Sequence, residues 1–279
     1  MLKTRFALHK ERSLGGVLEA TFAFLRQEGG AFWRTVLTIS GPFLVLTYAP
    51  TLWILQRTGN LLDYSANSLF FMGLGFGVLT VCTIALVVNA YLRAYDENDN
   101  RTPAFRAVWR ITLQRALPTI LWMILFLGLT LLGGILIILW ILPIGFLSLI
   151  PSVTVIEKAN FSALGRSFSL GTENFIEVAA GVFVVGFLSF WLALPFGMLV
   201  YYFSEAITGM LTAYPDMNIM SALEGLMLTA SMVYFYCVFT LLFLLLGLLY
   251  YAGVERQEGT SLGKRIEEIG TGRGYYEES

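Results

Sequence analysis

The hydrophobic pattern of the chain is dominated by residues 116–156, which contain no Asp, Glu, Lys or Arg. As a helix rising about 1.5 Å per residue, this stretch would be roughly 60 Å long, about twice the ~30 Å thickness of a hydrocarbon core. It must therefore cross a bilayer twice or leave half of its apolar length in water. Gly133 and Gly134 carry no side chain that would resist a tight turn, so we expect the chain to reverse there.

Further apolar runs lie on both sides of this stretch, and together they predict six membrane-spanning helices. The predicted spans are about 35–55, 68–92, 117–132, 135–156, 175–203 and 226–251. We therefore expect an all-α membrane protein with a polytopic membrane domain at 1–252 and a cytoplasmic tail at 253–279.

Three shorter segments combine apolar and charged positions at helical spacing. They cover 13–27, 103–115 and 157–170, and each carries too much charge to cross a bilayer, so we expect amphipathic helices in the membrane interface. Gly29 and Gly30 should end the first of them. Each amphipathic helix with the two spans after it would form one unit, which predicts three hairpins at 13–95, 103–156 and 158–251.

The distribution of basic residues fixes the expected orientation. Lys and Arg in short loops stay on the cytoplasmic side of a membrane during insertion. With six spans and both termini inside, only Arg57 of the 18 Lys and Arg residues lies outside. The pattern therefore predicts a multi-pass protein of a bacterial inner membrane with both termini cytoplasmic. We expect no cleavable signal peptide, because the first long apolar run begins only after Arg34.

The composition supports a membrane class and disfavours several others. The chain is 57% hydrophobic and 13% charged, about half the charged fraction of a soluble domain. The net charge of −1 gives no basic field for nucleic acid, so we expect no nucleic-acid partner. Cys82 and Cys237 lie inside apolar runs, which is typical of small buried side chains rather than a disulfide framework.

The sequence predicts no catalytic residue, no cofactor and no metal site, and hence no enzyme. The chain has one histidine, His9, and no paired nucleophile and base within the predicted spans. Basic side chains of the amphipathic segments are candidates for contact with anionic lipid headgroups: Arg106, Arg110, Arg115, Lys158 and Arg166. Small residues at steps of three and four are candidates for tight helix packing: Gly73, Gly77, Gly186, Ser189, Ala193 and Gly197.

One part of the chain resembles a known family. Residues 151–157 (PSVTVIE), 163–170 (ALGRSFSL) and Phe175 place an acidic residue after a span, then an amphipathic helix, then an aromatic residue at the next span. This pattern resembles the membrane domain that accompanies some bacterial glycerophosphodiester phosphodiesterases. The tail at 254–259 (VERQEG) and 265–270 (RIEEIG) is similar to the ends of related, uncharacterised inner-membrane proteins. The phosphodiesterase activity does not transfer, because that catalytic domain needs paired histidines and a carboxylate cluster.

Two functions remain open from the sequence. The favoured one is a non-enzymatic scaffold or accessory subunit of a membrane complex, whose partners are membrane lipids and other membrane protein subunits. Its basis is the concentration of polar positions on the cytoplasmic side of an apolar interior. The alternative is a transporter or lipid-handling permease with a cavity between pseudo-repeats, for which Pro42, Pro50, Pro143 and Pro195 would serve as joints.

Overall fold

The computed structural model describes residues 6–58, 68–134, 146–173, 175–185 and 219–259, together with residues 187, 191, 198 and 202. All regular structure in this part is α-helical, so the expected all-α class is confirmed for it. The helices are α1 (Leu14–Thr58), α2 (Ser68–Glu97), α3 (Phe105–Gly134), α4 (Ile150–Ile156), α5 (Ala163–Glu173), α6 (Phe175–Val185) and α7 (Ile219–Glu258).

Two helical stretches in the described part are long and apolar enough to cross a membrane, Gly75–Glu97 in α2 and Thr229–Glu258 in α7. A third candidate arises if α5 and α6, which meet at an angle of 92°, form one broken span. This is consistent with a membrane protein, but it gives two or three candidate spans rather than six. The other predicted spans, at 35–55, 117–132, 135–156 and 175–203, include residues or side chains outside the described part, so the six-span layout stays a prediction.

The predicted break at Gly29 and Gly30 is wrong, because α1 continues through both glycines as one helix of 45 residues. Phe24 and Phe32 lie on either side of the pair, and both rings contact Tyr91 of α2, at centroid distances of 6.2 and 5.3 Å. A glycine inside a helix costs only about 0.5–1 kcal/mol, so the buried aromatic contacts on both sides outweigh it.

The second amphipathic segment is likewise not a separate helix. Residues 105–115 and the predicted span that follows form the single helix α3, with Pro118 inside it. Val108 and Ile111 are buried and anchor the first half of α3 in the core. Pro118 has no N–H, so it leaves the carbonyl of Gln114 without an intrahelical donor but does not end the helix.

The two ends of the predicted central hairpin lie side by side. The Nη1 atom of Arg115 donates to Oδ1 of Asn160 at 3.1 Å, and the indole N–H of Trp122 donates to the carbonyl of Asn160 at 3.0 Å. Asn160, which follows the predicted hairpin in the sequence, therefore contacts the residues at its beginning. Helix α3 is helical as far as Gly134, and residues 135–145 lie outside the described part, so the predicted reversal at Gly133 and Gly134 stays a prediction.

Helices α1, α2 and α7 contact one another and form the core. Hydroxyl groups join them within the apolar region: Ser40 of α1 and Tyr236 of α7 hydrogen-bond at 2.6 Å, and Thr47 of α1 and Thr80 of α2 at 2.9 Å. Ser40, Thr47 and Thr80 also contact carbonyls of their own helices, so these bonds add polar links between the helices and give the Tyr236 hydroxyl a partner.

The ion pairs of the described residues gather at one end of this core, around the last turns of α2 and α7. His9 of the N-terminal arm contacts Asp96 at 3.1 Å, and Arg256 contacts Glu11 at 3.4 Å and Glu177 at 3.2 Å. These pairs fasten the arm and α6 to the end of α7. The candidate functional site lies at the same end, since Arg93 and Glu97 contribute to it.

Candidate functional site

A pocket of about 730 Å³ lies where the end of α2 and the first half of α3 meet the turn after α4. We call it the basic pocket and define it by its polar residues: Arg93, Glu97, Arg110, Gln114, Arg115, Lys158 and Asn160. Four of these side chains are cationic and one is anionic. The pocket therefore carries a net charge of +3 (four positive minus one negative), whereas the whole chain carries −1.

Arg93 lines the basic pocket and is only 7% exposed. Its Nη1 atom donates to the carbonyl of Val155 at 2.9 Å, and its Nε and Nη2 atoms donate to one carboxylate oxygen of Glu97 at 2.9 and 2.8 Å. A buried guanidinium needs such partners, because an unpaired buried charge is strongly unfavourable. Arg93 thus fixes α4 against α2, and Glu97 compensates its charge.

Lys158 enters the pocket from an unusual backbone conformation. It follows α4 with φ of 61°, in the left-handed region that glycine usually occupies at the end of a helix. The preceding N–H, that of Glu157, still donates to the carbonyl of Val153 and closes the helix. A side chain with a Cβ costs about 1 kcal/mol or more in this conformation, so the chain bears a local strain that places a lysine here.

Arg115 of α3 also lines the basic pocket and donates a hydrogen bond to the side chain of Asn160. Burial lowers the pKa of the Arg115 guanidinium, and the positive charge of Arg93 lowers that pKa further. The two positive charges therefore repel each other, and an anion bound between them would relieve the repulsion.

An apolar groove of about 420 Å³ continues from the basic pocket along α3. Leu117, Leu121 and Leu125 form one wall at successive helical turns, and the first two are 70% and 60% exposed. Trp122 and Phe161 complete the groove. We define the apolar groove by these five residues.

The two compartments meet at Leu117, Pro118 and Asn160, which line both. Asn160 is the junction, because its side chain binds Arg115 in the basic pocket while its carbonyl receives the indole N–H of Trp122 in the groove. The combined site is cationic at one end and apolar at the other. Its shape and polarity match an amphiphile with a negatively charged head and a hydrocarbon chain.

The structure brings together three of the five predicted lipid-contacting residues, Arg110, Arg115 and Lys158. Arg106, one turn before Arg110 on α3, does not line the pocket and is exposed. Arg166 instead binds Glu157 at 3.1 Å, Gln257 at 3.2 Å and the carboxylate of Glu258. It therefore ties α5 to the end of α7. Headgroup contact by Arg106 and Arg166 stays a prediction.

Sequence reasoning missed Arg93, Asn160 and Trp122 as site residues. The signal for Arg93 was present, since it directly follows the predicted span at 68–92 and is the first charge after a long apolar run. Asn160 and Trp122 carry no comparable signal, because their role depends on a contact between residues 38 positions apart.

Of the predicted packing residues, only Gly77 lies in the part of the chain with described side chains. A Cβ there would meet Thr47 of α1 at 3.7 Å, which is ordinary contact. Gly73, Gly186, Ser189, Ala193 and Gly197 fall outside that part. The closest helix contact at a described glycine occurs at Gly247 of α7, where a Cβ would lie 2.3 Å from Cδ1 of Leu92.

Among the described residues, no group of three or more His, Cys, Asp or Glu side chains is arranged to hold a metal ion. His9 is occupied by its contact with Asp96, and Cys82 and Cys237 are not joined in a disulfide. These observations leave the basic pocket and the apolar groove as the best-defined candidate site in this part of the chain.

Comparison with protein-family models, with curated proteins and with solved structures finds no match for this chain. The resemblance to the membrane domain of bacterial glycerophosphodiester phosphodiesterases therefore stays a prediction from residues 151–175.

Proposed function

We propose that this chain is an integral membrane protein that binds an anionic membrane lipid, with the headgroup in the basic pocket and one acyl chain in the apolar groove. The observation that carries the proposal is the continuity of the two compartments at Asn160. A soluble anion needs no apolar groove, and an uncharged lipid needs no pocket of net charge +3. Lipid binding of this kind develops the lipid-handling alternative that the sequence leaves open.

The membrane orientation belongs to the same proposal. We place the protein in a bacterial inner membrane with six spans, arranged as three hairpins, and with both termini in the cytoplasm. In that orientation the basic pocket lies at the level of the inner-leaflet headgroups, where each Lys or Arg near an anionic surface contributes about 1 kcal/mol. The gathering of ion pairs at the same end of the described core supports this placement.

The second candidate is a scaffold or accessory subunit that contacts other membrane proteins. Phe105 and Trp109 favour it, since their rings stack at 6.4 Å on the exposed side of α3 just before the pocket. A neighbouring subunit would cover them. In both candidates the protein is not an enzyme and holds no cofactor, and the two roles are compatible if lipid binding adjusts the subunit contact.

Native mass spectrometry of the full chain, purified in mild detergent and mixed with phosphatidylglycerol and phosphatidylcholine, tests lipid binding. The wild type should retain phosphatidylglycerol in preference to phosphatidylcholine. Replacing Arg110, Arg115 and Lys158 together with Gln removes three charges at about 1 kcal/mol each, which predicts a loss of affinity of about 100-fold.

The matched control is the triple variant in which three exposed basic residues outside the pocket, Lys10, Arg26 and Arg101, become Gln. It loses the same total charge and should retain the lipid. Equal losses in the two triple variants would mean that binding follows the overall charge of the protein. The basic pocket would then not be a site, and the proposal would be refuted.

A further inference from the structure

The charge of the basic pocket exceeds what a common anionic lipid requires. Most anionic phospholipids carry a phosphodiester with one negative charge, whereas a phosphomonoester carries about −1.5 to −2 at pH 7. Glu97 already neutralises one guanidinium through its contact with Arg93. Three cations remain for the ligand, those of Arg110, Arg115 and Lys158.

The cations also approach the pocket from two separate elements. Arg110 and Arg115 are on α3, and Lys158 is in the turn after α4. A guanidinium has five N–H donors, so Arg115 can bind Asn160 and an anion at the same time. Phosphate with three terminal oxygens can accept from both sides, whereas a phosphodiester has two non-bridging oxygens and a bulky substituent that would occupy one side.

We propose that the site prefers a lipid with a bare phosphomonoester headgroup, the chemical class of phosphatidic acid, over lipids with a phosphodiester headgroup. This inference rests on the proposed function. The apolar groove determines that the phosphate belongs to a lipid, because Leu117, Leu121 and Leu125 continue from the pocket with exposed side chains. Asn160 lies where the glycerol backbone of such a lipid would join its head to its chain.

The selectivity should depend on pH in a defined direction. A phosphomonoester has its second pKa near 6, so it gains its second negative charge as the pH rises through about 6. The charged groups that face the phosphate are Arg93, Glu97, Arg110, Arg115 and Lys158. The preference for the phosphomonoester is therefore present above about pH 6 and declines below it, while the affinity for a phosphodiester lipid has no such step.

The test is equilibrium binding of radiolabelled phosphatidic acid and phosphatidylglycerol with identical acyl chains to the full chain in mixed detergent micelles. One additional charge contact near the surface predicts a preference for phosphatidic acid of about fivefold at neutral pH. The Arg110, Arg115 and Lys158 to Gln variant should lose this preference. The Lys158→Arg variant, which preserves the charge, should retain most of it.

The possible results separate the two proposals. Equal affinity for both lipids, still lost in the triple variant, would overturn the headgroup selectivity and leave anionic-lipid binding intact. Failure of both lipids to bind would overturn both proposals. Leu121→Gln places a polar group in the apolar groove and should weaken phosphatidic acid binding. If Leu121→Gln binds phosphatidic acid as the wild type does, and inorganic phosphate at the same concentration as the lipid displaces it, the ligand is a soluble phosphate. That result would overturn the lipid assignment.

Discussion

Replacing Lys158 with glycine should stabilise the protein and weaken its lipid binding at the same time. The two effects have opposite signs because they arise from different parts of the residue. The backbone of Lys158 has φ of 61°, which a Cβ makes unfavourable, while the residue contributes a positive charge to the lining of the basic pocket. Glycine removes the strain and the charge together.

The size of each effect follows from these two parts. An L-residue in the left-handed region costs about 1–2 kcal/mol, and glycine recovers this minus about 0.5–1 kcal/mol for its greater freedom in the unfolded chain. The net gain for Lys158→Gly is then about 0.5–1 kcal/mol, or about 2 °C in Tm for a protein of this size. Loss of one cation beside an anionic headgroup should lower the affinity about fivefold.

The assay is thermal unfolding in detergent without added anionic lipid, followed by lipid titration of the same samples. Unfolding must be measured without the lipid, because a bound ligand itself raises Tm. Lys158→Ala is the matched control, since it removes the charge but keeps the Cβ. It should lose lipid affinity as Lys158→Gly does and gain no stability.

Two results would refute this reasoning. If Lys158→Gly and Lys158→Ala have the same Tm, the left-handed backbone stores no strain that glycine can release. If both variants bind the lipid as tightly as the wild type, Lys158 does not contact the headgroup, and its place in the basic pocket has no role in binding.

Gly247→Ala should destabilise the contact between α2 and α7, because its Cβ would lie 2.3 Å from Cδ1 of the fully buried Leu92. Relative to Gly128→Ala, where nothing lies within 4 Å, we expect a free energy of unfolding lower by about 1–3 kcal/mol, measured by denaturant unfolding in detergent. Equal effects of the two substitutions would show that the Leu92 side chain or the helices shift without cost. His9→Ala should release the N-terminal arm, since the ring contacts a carboxylate at the end of α2. If the contact contributes about 1.4 kcal/mol to holding the arm, limited proteolysis should cleave the arm of His9→Ala about tenfold faster than that of the wild type. The exposed control Lys10→Ala should be cleaved at the wild-type rate. An unchanged rate in His9→Ala would mean that the ring does not hold the arm.

The features predicted well from sequence depend on hydrophobicity and charge. An apolar run needs a helix in a membrane whatever its neighbours are, so the helical class follows directly from the pattern. The basic residues near the spans were recognised for the same reason, and Arg110, Arg115 and Lys158 do share one pocket. The sequence predicted these residues as lipid contacts, but it did not predict the pocket that they line.

The features that were missed depend on contacts between distant parts of the chain. Gly29 and Gly30 look like a helix end, yet the packing of Phe24 and Phe32 against Tyr91 keeps α1 continuous. The left-handed backbone at Lys158 is equally invisible, since lysine gives no local signal for it. At the glycine pair tertiary packing overrides the local preference, whereas at Lys158 the backbone conformation has no counterpart in the local sequence.

The continuity of α1 also has a mechanical consequence. Its 45 residues form a rod of about 68 Å, more than twice the thickness of a hydrocarbon core. Because no loop interrupts α1, a single helix joins the N-terminal arm to Thr47, which hydrogen-bonds Thr80 of α2. We therefore expect a tilt of its first turns to be transmitted past the glycine pair toward that bond, reduced by any bending at Pro42.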